Sequence, residues 1–434
     1  MERVELAGQL GAARSAAAPG EIVVEEREPA QFMRALGEAV AGNGTVLVAD
    51  PSWGAAEKAQ FTALREVVAA GGEPPTGDRQ SPITGGRSST GDRRSPRDHG
   101  WLCLPTGGTS GTLRLARHDQ DTLAAAVRGC AAHFEVSRIN AVGVLPLHHV
   151  SGLMAWMRCA LTGGRYVRWA WEDLEVGRWP DTGPGDWFLS LVPTQLQRLL
   201  DQPTAAECLR RFRAVLVGGG PVWSDLLDRA AAARLPLAPG YGMTETAAMV
   251  SALRPEEFLA GRRGCGSALP HARVELGTDG GIALVADSLF RGYYPHWREP
   301  GPWQTEDLGR WDEHGGLHVL GRRDAVIITG GEKVEPGEVE AALRATGEFA
   351  DVAVIGLPDA TWGEAVVACY PAGAKEPDLR AVGRHVVAEL APHKRPKHYL
   401  CLAVWPRSEQ GKVNRRELTA QAQEATGRIM PSGA

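Results

Sequence analysis

The chain has 434 residues, 43% hydrophobic and 23% charged, the balance of an ordinary globular protein and not of a disordered or collagen-like chain. Lysine plus arginine (47) nearly match aspartate plus glutamate (52), leaving a net charge of −5 and no global basic field to hold nucleic acid or an anionic membrane. Seven cysteines with no CxxC pair point to a reducing, cytoplasmic setting, and no apolar run approaches the roughly 20 residues of a membrane span.

The acidic opening, Met1 to Glu5, is unlike a signal peptide. Residues 1 to 72 alternate helical and strand signals: the apolar run Thr45 to Ala49 stops at Asp50 and Pro51, and an alanine-rich helical stretch continues to Ala70. From Gly71 to Gly100 apolar residues nearly vanish, and TGDRQSP at Thr76 recurs as TGDRRSP at Thr90. Two copies are too few for a solenoid, so a disordered surface insertion is expected. From Trp101, buried-type strands (Ala141 to Leu145, Trp187 to Val192, Ala214 to Val217) alternate with helices (Thr122 to Phe134, Leu153 to Leu161, Thr194 to Leu200, Ser224 to Ala233). This predicts a large layered α/β domain over residues 1–323. The pattern then restarts with strand Ala325 to Ile328, helix Pro336 to Ala345, strands Val352 to Gly356 and Ala365 to Tyr370, helix Leu379 to Leu390 and strand Tyr399 to Val404. That predicts a small α+β domain over residues 324–434.

Four segments carry chemistry. Thr106-Gly107-Gly108-Thr109-Ser110-Gly111-Thr112-Leu113-Arg114 follows the apolar run Leu102 to Pro105; glycines that let N–H groups turn inward, hydroxyls and a cation make a phosphate cradle. It lacks Walker spacing, and taken alone such a loop is more often a plain flexible turn. The second segment, Tyr241-Gly242-Met243-Thr244-Glu245-Thr246, is preceded by Gly218-Gly219-Gly220-Pro221. A carboxylate beside a hydroxyl at a strand end can hold Mg²⁺; the alternative is a helix start with Thr244 as cap and Glu245 in the first turn. The third comprises Thr305-Glu306-Asp307-Leu308-Gly309, Gly321-Arg322-Arg323-Asp324 and Gly330-Gly331-Glu332. The fourth is Gly411-Lys412-Val413-Asn414-Arg415-Arg416-Glu417-Leu418. A lone lysine such as Lys412 is ordinarily a solvated surface residue.

In this order and spacing the four segments resemble those of the adenylate-forming superfamily of acyl-CoA synthetases, adenylation domains and luciferases, over about residues 101 to 420. Within it, the segment from Pro146 to Leu153, with His148, His149 and Ser151, the segment from Val192 to Leu200, and the Gly218 to Gly220 turn look most like o-succinylbenzoate:CoA ligases of menaquinone and phylloquinone synthesis. The resemblance implies a large domain and a small mobile one, with ATP and coenzyme A as co-substrates and Mg²⁺ as cofactor. A carboxylate would attack the α-phosphate of ATP, and the thiol of coenzyme A would then displace AMP. Lys412 would bridge the carboxylate and the α-phosphate. Thr106, Thr109, Ser110 and Thr244 would hold phosphate oxygens, and Glu245 the Mg²⁺. Asp307 would bind the ribose with Arg322 nearby, and Tyr241 and Gly218 to Gly220 would sandwich the adenine. Asp324 would be the hinge about which the small domain swings, bringing Gly330 and Gly331 to the coenzyme A tunnel. His149 would line or gate the acyl pocket and Ser151 would touch the acid.

One departure is that the phosphate loop, which ends in lysine in the family, ends here in Arg114; the charge is kept and phosphate binding should survive. A second carboxylate on the acid needs its own partner, for which Arg158, Arg165, Arg168 and Arg198 are candidates. Three other readings stay open: a ligase for another aryl or fatty acid, an enzyme loading a carrier protein, and a non-catalytic nucleotide-binding protein. The composition also permits a homo-oligomer.

Overall fold

The structure is a computed structural model that describes residues 3–10, 20–42, 44–70, 100–106, 112–373, 376–407 and 413–427. The expected insertion at 71–100 lies outside these residues save for Gly100. Apolar runs of four or five residues form strands buried on both faces, as parallel strands between helix layers require.

The first sheet has the order β1 (Glu21–Val24), β2 (Thr45–Val48), β3 (Leu102–Pro105), β4 (Leu115–His118). The second holds β5 (Asn140–Gly143), β6 (Tyr166–Arg168), β7 (Trp187–Leu191), β8 (Ala214–Val217), β9 (Leu237–Met243), β10 (Ala248–Ala252) and β11 (Ser267–Ala268) in the order 11-10-9-8-7-5-6. Strands 6, 5, 7, 8 and 9 are parallel, with β10 and β11 antiparallel at one edge. A third, antiparallel sheet runs β12 (Ala272–Leu276), β13 (Gly281–Ala286), β14 (Trp303–Trp311), β15 (Leu317–Arg322). The last sheet holds β16 (Ile327–Thr329), β17 (Glu332–Val334), β18 (Ala353–Asp359), β19 (Gly363–Pro371) and β20 (His398–Leu402). The helices Pro336–Ala345 and Leu379–Glu389 cover one face of this sheet, burying Val339, Leu343, Val382 and Val386 against Val354 and Val366. This is a mixed α/β architecture.

The helix Val150–Thr162 places its apolar stripe between the first two sheets: Leu153, Met154, Trp156 and Met157 share a core with Val46, Leu102 and Leu104. It stops at Gly163, whose φ of 69° supplies the left-handed C-terminal turn. Two expectations shift in detail. Residues Arg323–Ala325 form a 3₁₀ turn, so the strand expected from Ala325 begins at Ile327. The strands bounded from sequence leave a gap between Ala233 and Gly321, yet β9 to β11 and the third sheet lie there.

Candidate active site

The β3–β4 hairpin pairs Pro105 with Leu115, and the Thr106 amide donates to the Arg114 carbonyl at 3.0 Å, pinching the neck of the Thr106–Arg114 loop. Gly107, Gly108, Thr109, Ser110 and Gly111 lie outside the described residues, as does Lys412. Residues 290–294 run back along β4: the Arg291 amide donates to the Arg117 carbonyl at 2.7 Å and the Tyr294 amide to the Leu115 carbonyl at 2.8 Å. This lays Tyr293 opposite Ala116, with the Arg114 guanidinium 5.3 Å from its ring centre.

The Tyr293 hydroxyl donates to Glu245 Oε1 at 2.6 Å. Burial pushes the Glu245 carboxyl up, against the pull of Tyr293, Arg114 and Arg322. A part-buried carboxylate beside hydroxyl oxygens is a donor set that fits a hard cation such as Mg²⁺. The neighbouring Thr244 carbonyl accepts from His118 Nε2 at 2.7 Å, and the Thr244 hydroxyl lies 3.5 Å from the Pro105 carbonyl. Burial lowers His118 to about 4, so this ring is a neutral prop. The alternative helix start at Thr244 is not what forms. Thr244–Thr246 is one 3₁₀ turn capped from Met243, whose amide donates to the Thr246 hydroxyl oxygen at 3.0 Å, and Ala247 (φ 50°) ends it.

Antiparallel register sets Asp307 of β14 opposite Arg322 of β15, with Nη1 3.7 Å from Oδ1. The second Asp307 oxygen accepts from the Tyr241 hydroxyl at 2.6 Å. Arg322 donates through Nε and Nη2 to Asp324 at 2.8 and 2.7 Å. The hinge candidate is therefore joined to the ribose candidate by one side chain. Tyr241 and Gly242 lie at the end of β9 against β10, and the Gly218 to Gly220 turn follows β8 alongside, with Gly219 in the left-handed region (φ 76°). In the last sheet Gly330 and Gly331 form the two-residue β16–β17 turn with φ of 58° and 84°, a conformation that favours glycine at both places. The Trp362 ring lies beside Gly330, and the Lys397 ammonium is 4.6 Å from that ring's centre.

His149 is the N-cap of the helix Val150–Thr162, Ser151 lies in its first turn, and Arg158 follows Ser151 by two turns on the same face. Of the four arginines considered for a second carboxylate, Arg168 pairs with Glu28, Arg198 with Glu175 at 2.8 Å, and Arg165 lies over the Trp187 ring. Arg158 is 6% exposed, and its guanidinium makes no hydrogen bond or ion pair among the described residues. Motif spacing gave no signal for Tyr293, His118, Trp362 or Asp50, since each reaches the site from a distant segment. Asp50 lies two residues past the first sheet's second strand and sits against His148 and His149.

A layered α/β body followed by a small sheet carries a Thr-Glu turn and an Asp–Arg strand pair, acceptors and a cation of the kind that suit a nucleotide's metal, ribose and phosphates. The chain belongs to the AMP-binding enzyme family: residues 19–294 match its model, and 338–412 match that of the AMP-binding enzyme C-terminal domain. It is 33% identical over 338 residues to a probable 2-succinylbenzoate–CoA ligase of Mycobacterium tuberculosis, covering 73% of this chain and 83% of that one. It is 32% identical over 283 residues to the 2-succinylbenzoate–CoA ligase of Listeria monocytogenes, covering 63% of this chain and 60% of that one. The chain thus spans about three fifths of the Listeria relative's length. Among solved structures, o-succinylbenzoate CoA synthetase from Bacillus subtilis, in complex with an acyl-adenylate intermediate, shares the fold at a TM-score of 0.71 and 22% identity, over 96% of this chain and 91% of that one. ATP-bound MatB from Rhodopseudomonas palustris does so at 0.75 and 22%, over 98% and 93%. Among the described residues no helix is long and apolar enough to cross a membrane.

Proposed function

We propose that the protein is an ATP-dependent acid:coenzyme A ligase of the cytoplasm that converts 2-succinylbenzoate to its CoA thioester by way of an acyl-adenylate. The carrying observation is Arg158, a buried cation with no counter-charge among the described residues, behind His149 and Ser151. An uncompensated buried charge costs several kcal/mol, and a second substrate carboxylate would offset that cost. A fatty acid or simple aryl acid brings no such group. The matched relatives support the same substrate.

In the first half-reaction charge accumulates on the α-phosphate, where positioned cations and N–H groups supply most of the catalysis. The Thr106–Arg114 loop and Thr244 hold phosphate oxygens, Asp307 takes the ribose hydroxyls, and Tyr241 with the Gly218–Gly220 turn encloses the base. Glu245 and the oxygens around it hold Mg²⁺, which when bound neutralises phosphate charge. Lys412 bridges acid and phosphate. The large domain ends at Arg323, and the small one turns about Asp324 to exchange Lys412 for Gly330 and Gly331 in the second half.

The test is acid-dependent pyrophosphate release from ATP and Mg²⁺ over a panel of acids, with and without coenzyme A. Release specific to 2-succinylbenzoate and carried to thioester by coenzyme A is expected, and Arg158→Leu should raise KM for this diacid roughly 30-fold or more while leaving KM for ATP unchanged. Equal turnover of benzoate and the diacid would overturn the role of Arg158 and the assignment of this acid as the specific substrate.

A further inference from the structure

Asp50 follows the first sheet's second strand, His148 and His149 lead into the helix Val150–Thr162, and the fold closes the three into one cluster. Asp50 is 6% exposed and His148 5%. His148 Nε2 lies 3.2 Å from Asp50 Oδ1, His149 Nε2 lies 3.5 Å from Asp50 Oδ2, and the ring centres are 4.5 Å apart. Each side chain offers one ligand atom, and the three atoms all lie within 4.8 Å of one another.

A hydrogen bond does not account for the placing of His149. Its Nε2 is buried without a hydrogen-bond partner among the described residues, and it stands well beyond the roughly 2.9 Å of an ordinary N–H···O bond to the carboxylate it faces. Nor does any lysine or arginine among the described residues pair with Asp50, so a buried carboxylate faces imidazole nitrogens in place of a permanent cation. A bound metal accounts for both features. Ligands of a tetrahedral Zn²⁺, each about 2.0–2.1 Å from the ion, stand roughly 3.3–3.4 Å apart. The two nitrogen–oxygen separations bracket that spacing. The Ser52 amide and hydroxyl donate to Asp50 Oδ1 at 2.8 and 2.6 Å, the outer support that orients a ligating carboxylate, and burial favours the neutral imidazole that binds a cation.

We infer that Asp50, His148 and His149 form a binding site for a divalent transition-metal ion of the Zn²⁺ kind, built from residues other than the Glu245 proposed for Mg²⁺. Two imidazoles and one carboxylate suit Zn²⁺, whereas Mg²⁺ takes oxygen ligands and keeps its waters. Three protein ligands leave a fourth position for water. The ion ties the segment after β2 to the N-cap of the helix that carries Ser151 and Arg158, and so stiffens the start of that helix.

The test titrates the full chain, freed of metal by a chelator, with Zn²⁺ in a calorimeter in the presence of excess Mg²⁺. One equivalent should bind per chain with Kd below about 1 µM, and the melting temperature should rise with it. Co²⁺ in place of Zn²⁺ should give the visible absorption of a four-coordinate nitrogen and oxygen site. His149→Gln should weaken Zn²⁺ binding roughly 100-fold or more, and Ser52→Ala, which keeps all three ligands, roughly tenfold. Failure of the parent to bind Zn²⁺ stoichiometrically overturns the proposal without needing any variant to fold, and so does displacement of the ion by Mg²⁺. A sulfur-to-cobalt charge-transfer band also overturns it, because the ion would then sit on a cysteine such as the exposed Cys401. An affinity unchanged in His149→Gln does the same. None of these readouts depends on turnover, so they stand whether or not the ligase reading does.

Discussion

Tyr293 illustrates how much a single hydroxyl can decide. Its bond to Glu245 Oε1 satisfies one oxygen of a part-buried carboxylate, while Arg114 lies against the tyrosine's ring. Removing the hydroxyl leaves that oxygen without its donor, a cost of about 1–3 kcal/mol, and lets the carboxylate rotate. Tyr293→Phe is expected to raise the Mg²⁺ concentration for half-maximal adenylation roughly tenfold, and to weaken Mn²⁺ binding measured by electron paramagnetic resonance in step. An unchanged metal dependence would assign Tyr293 to packing alone. His118 acts in the same neighbourhood without titrating, since burial keeps it neutral through the physiological range and its role is to hold the Thr244 carbonyl.

At the scale of elements, the helix Gln120–His133 depends on the cap Asp119, which receives the Asp121 and Thr122 amides at 3.1 and 3.0 Å and the Arg291 Nε at 2.7 Å. Burial would raise this carboxyl, but Arg291 and the amides hold it below its ordinary value. Its contribution to stability is therefore complete above the unfolded aspartate value near 4 and is lost as pH falls through the lowered folded value. Asp119→Ala should cost about 2–4 kcal/mol at pH 7. The deficit relative to the parent, read from urea unfolding at a series of pH values, should shrink below pH 4; a deficit independent of pH would mean the charge contributes nothing. The parallel strands β5, β7 and β8 were readable from sequence because each is an apolar run buried on both faces. The third sheet was not, because β12 and β14 mix exposed and buried positions and β14 breaks register between Leu308 and Gly309, so Asp307 read as part of a polar motif and not as a strand residue. The motif residues around Glu245 were legible because they are contiguous. Tyr293 and Asp50 were not, because a partner supplied by a distant strand leaves no local spacing to detect.

For the whole molecule, the helix Pro336–Ala345 reaches back to the large body, where the Arg344 guanidinium lies 5.0 Å from the Trp223 ring centre, just beyond the Gly218–Gly220 turn. If the small domain serves the two half-reactions in turn, Lys412→Ala should nearly abolish adenylation while sparing thioester formation from supplied acyl-adenylate, as single-turnover assays of each half would show. Equal loss in both would contradict the exchange of faces. The path Tyr241–Asp307–Arg322–Asp324 bears on the sequence of these events. A ribose that claims the oxygens of Asp307 competes with Tyr241 and Arg322 for the same acceptors, and Arg322 is the group that braces Asp324. If Asp307 takes the ribose and Asp324 is the pivot, as proposed above, the two share the Arg322 guanidinium, so loading the pocket and turning the small domain would be coupled through one side chain.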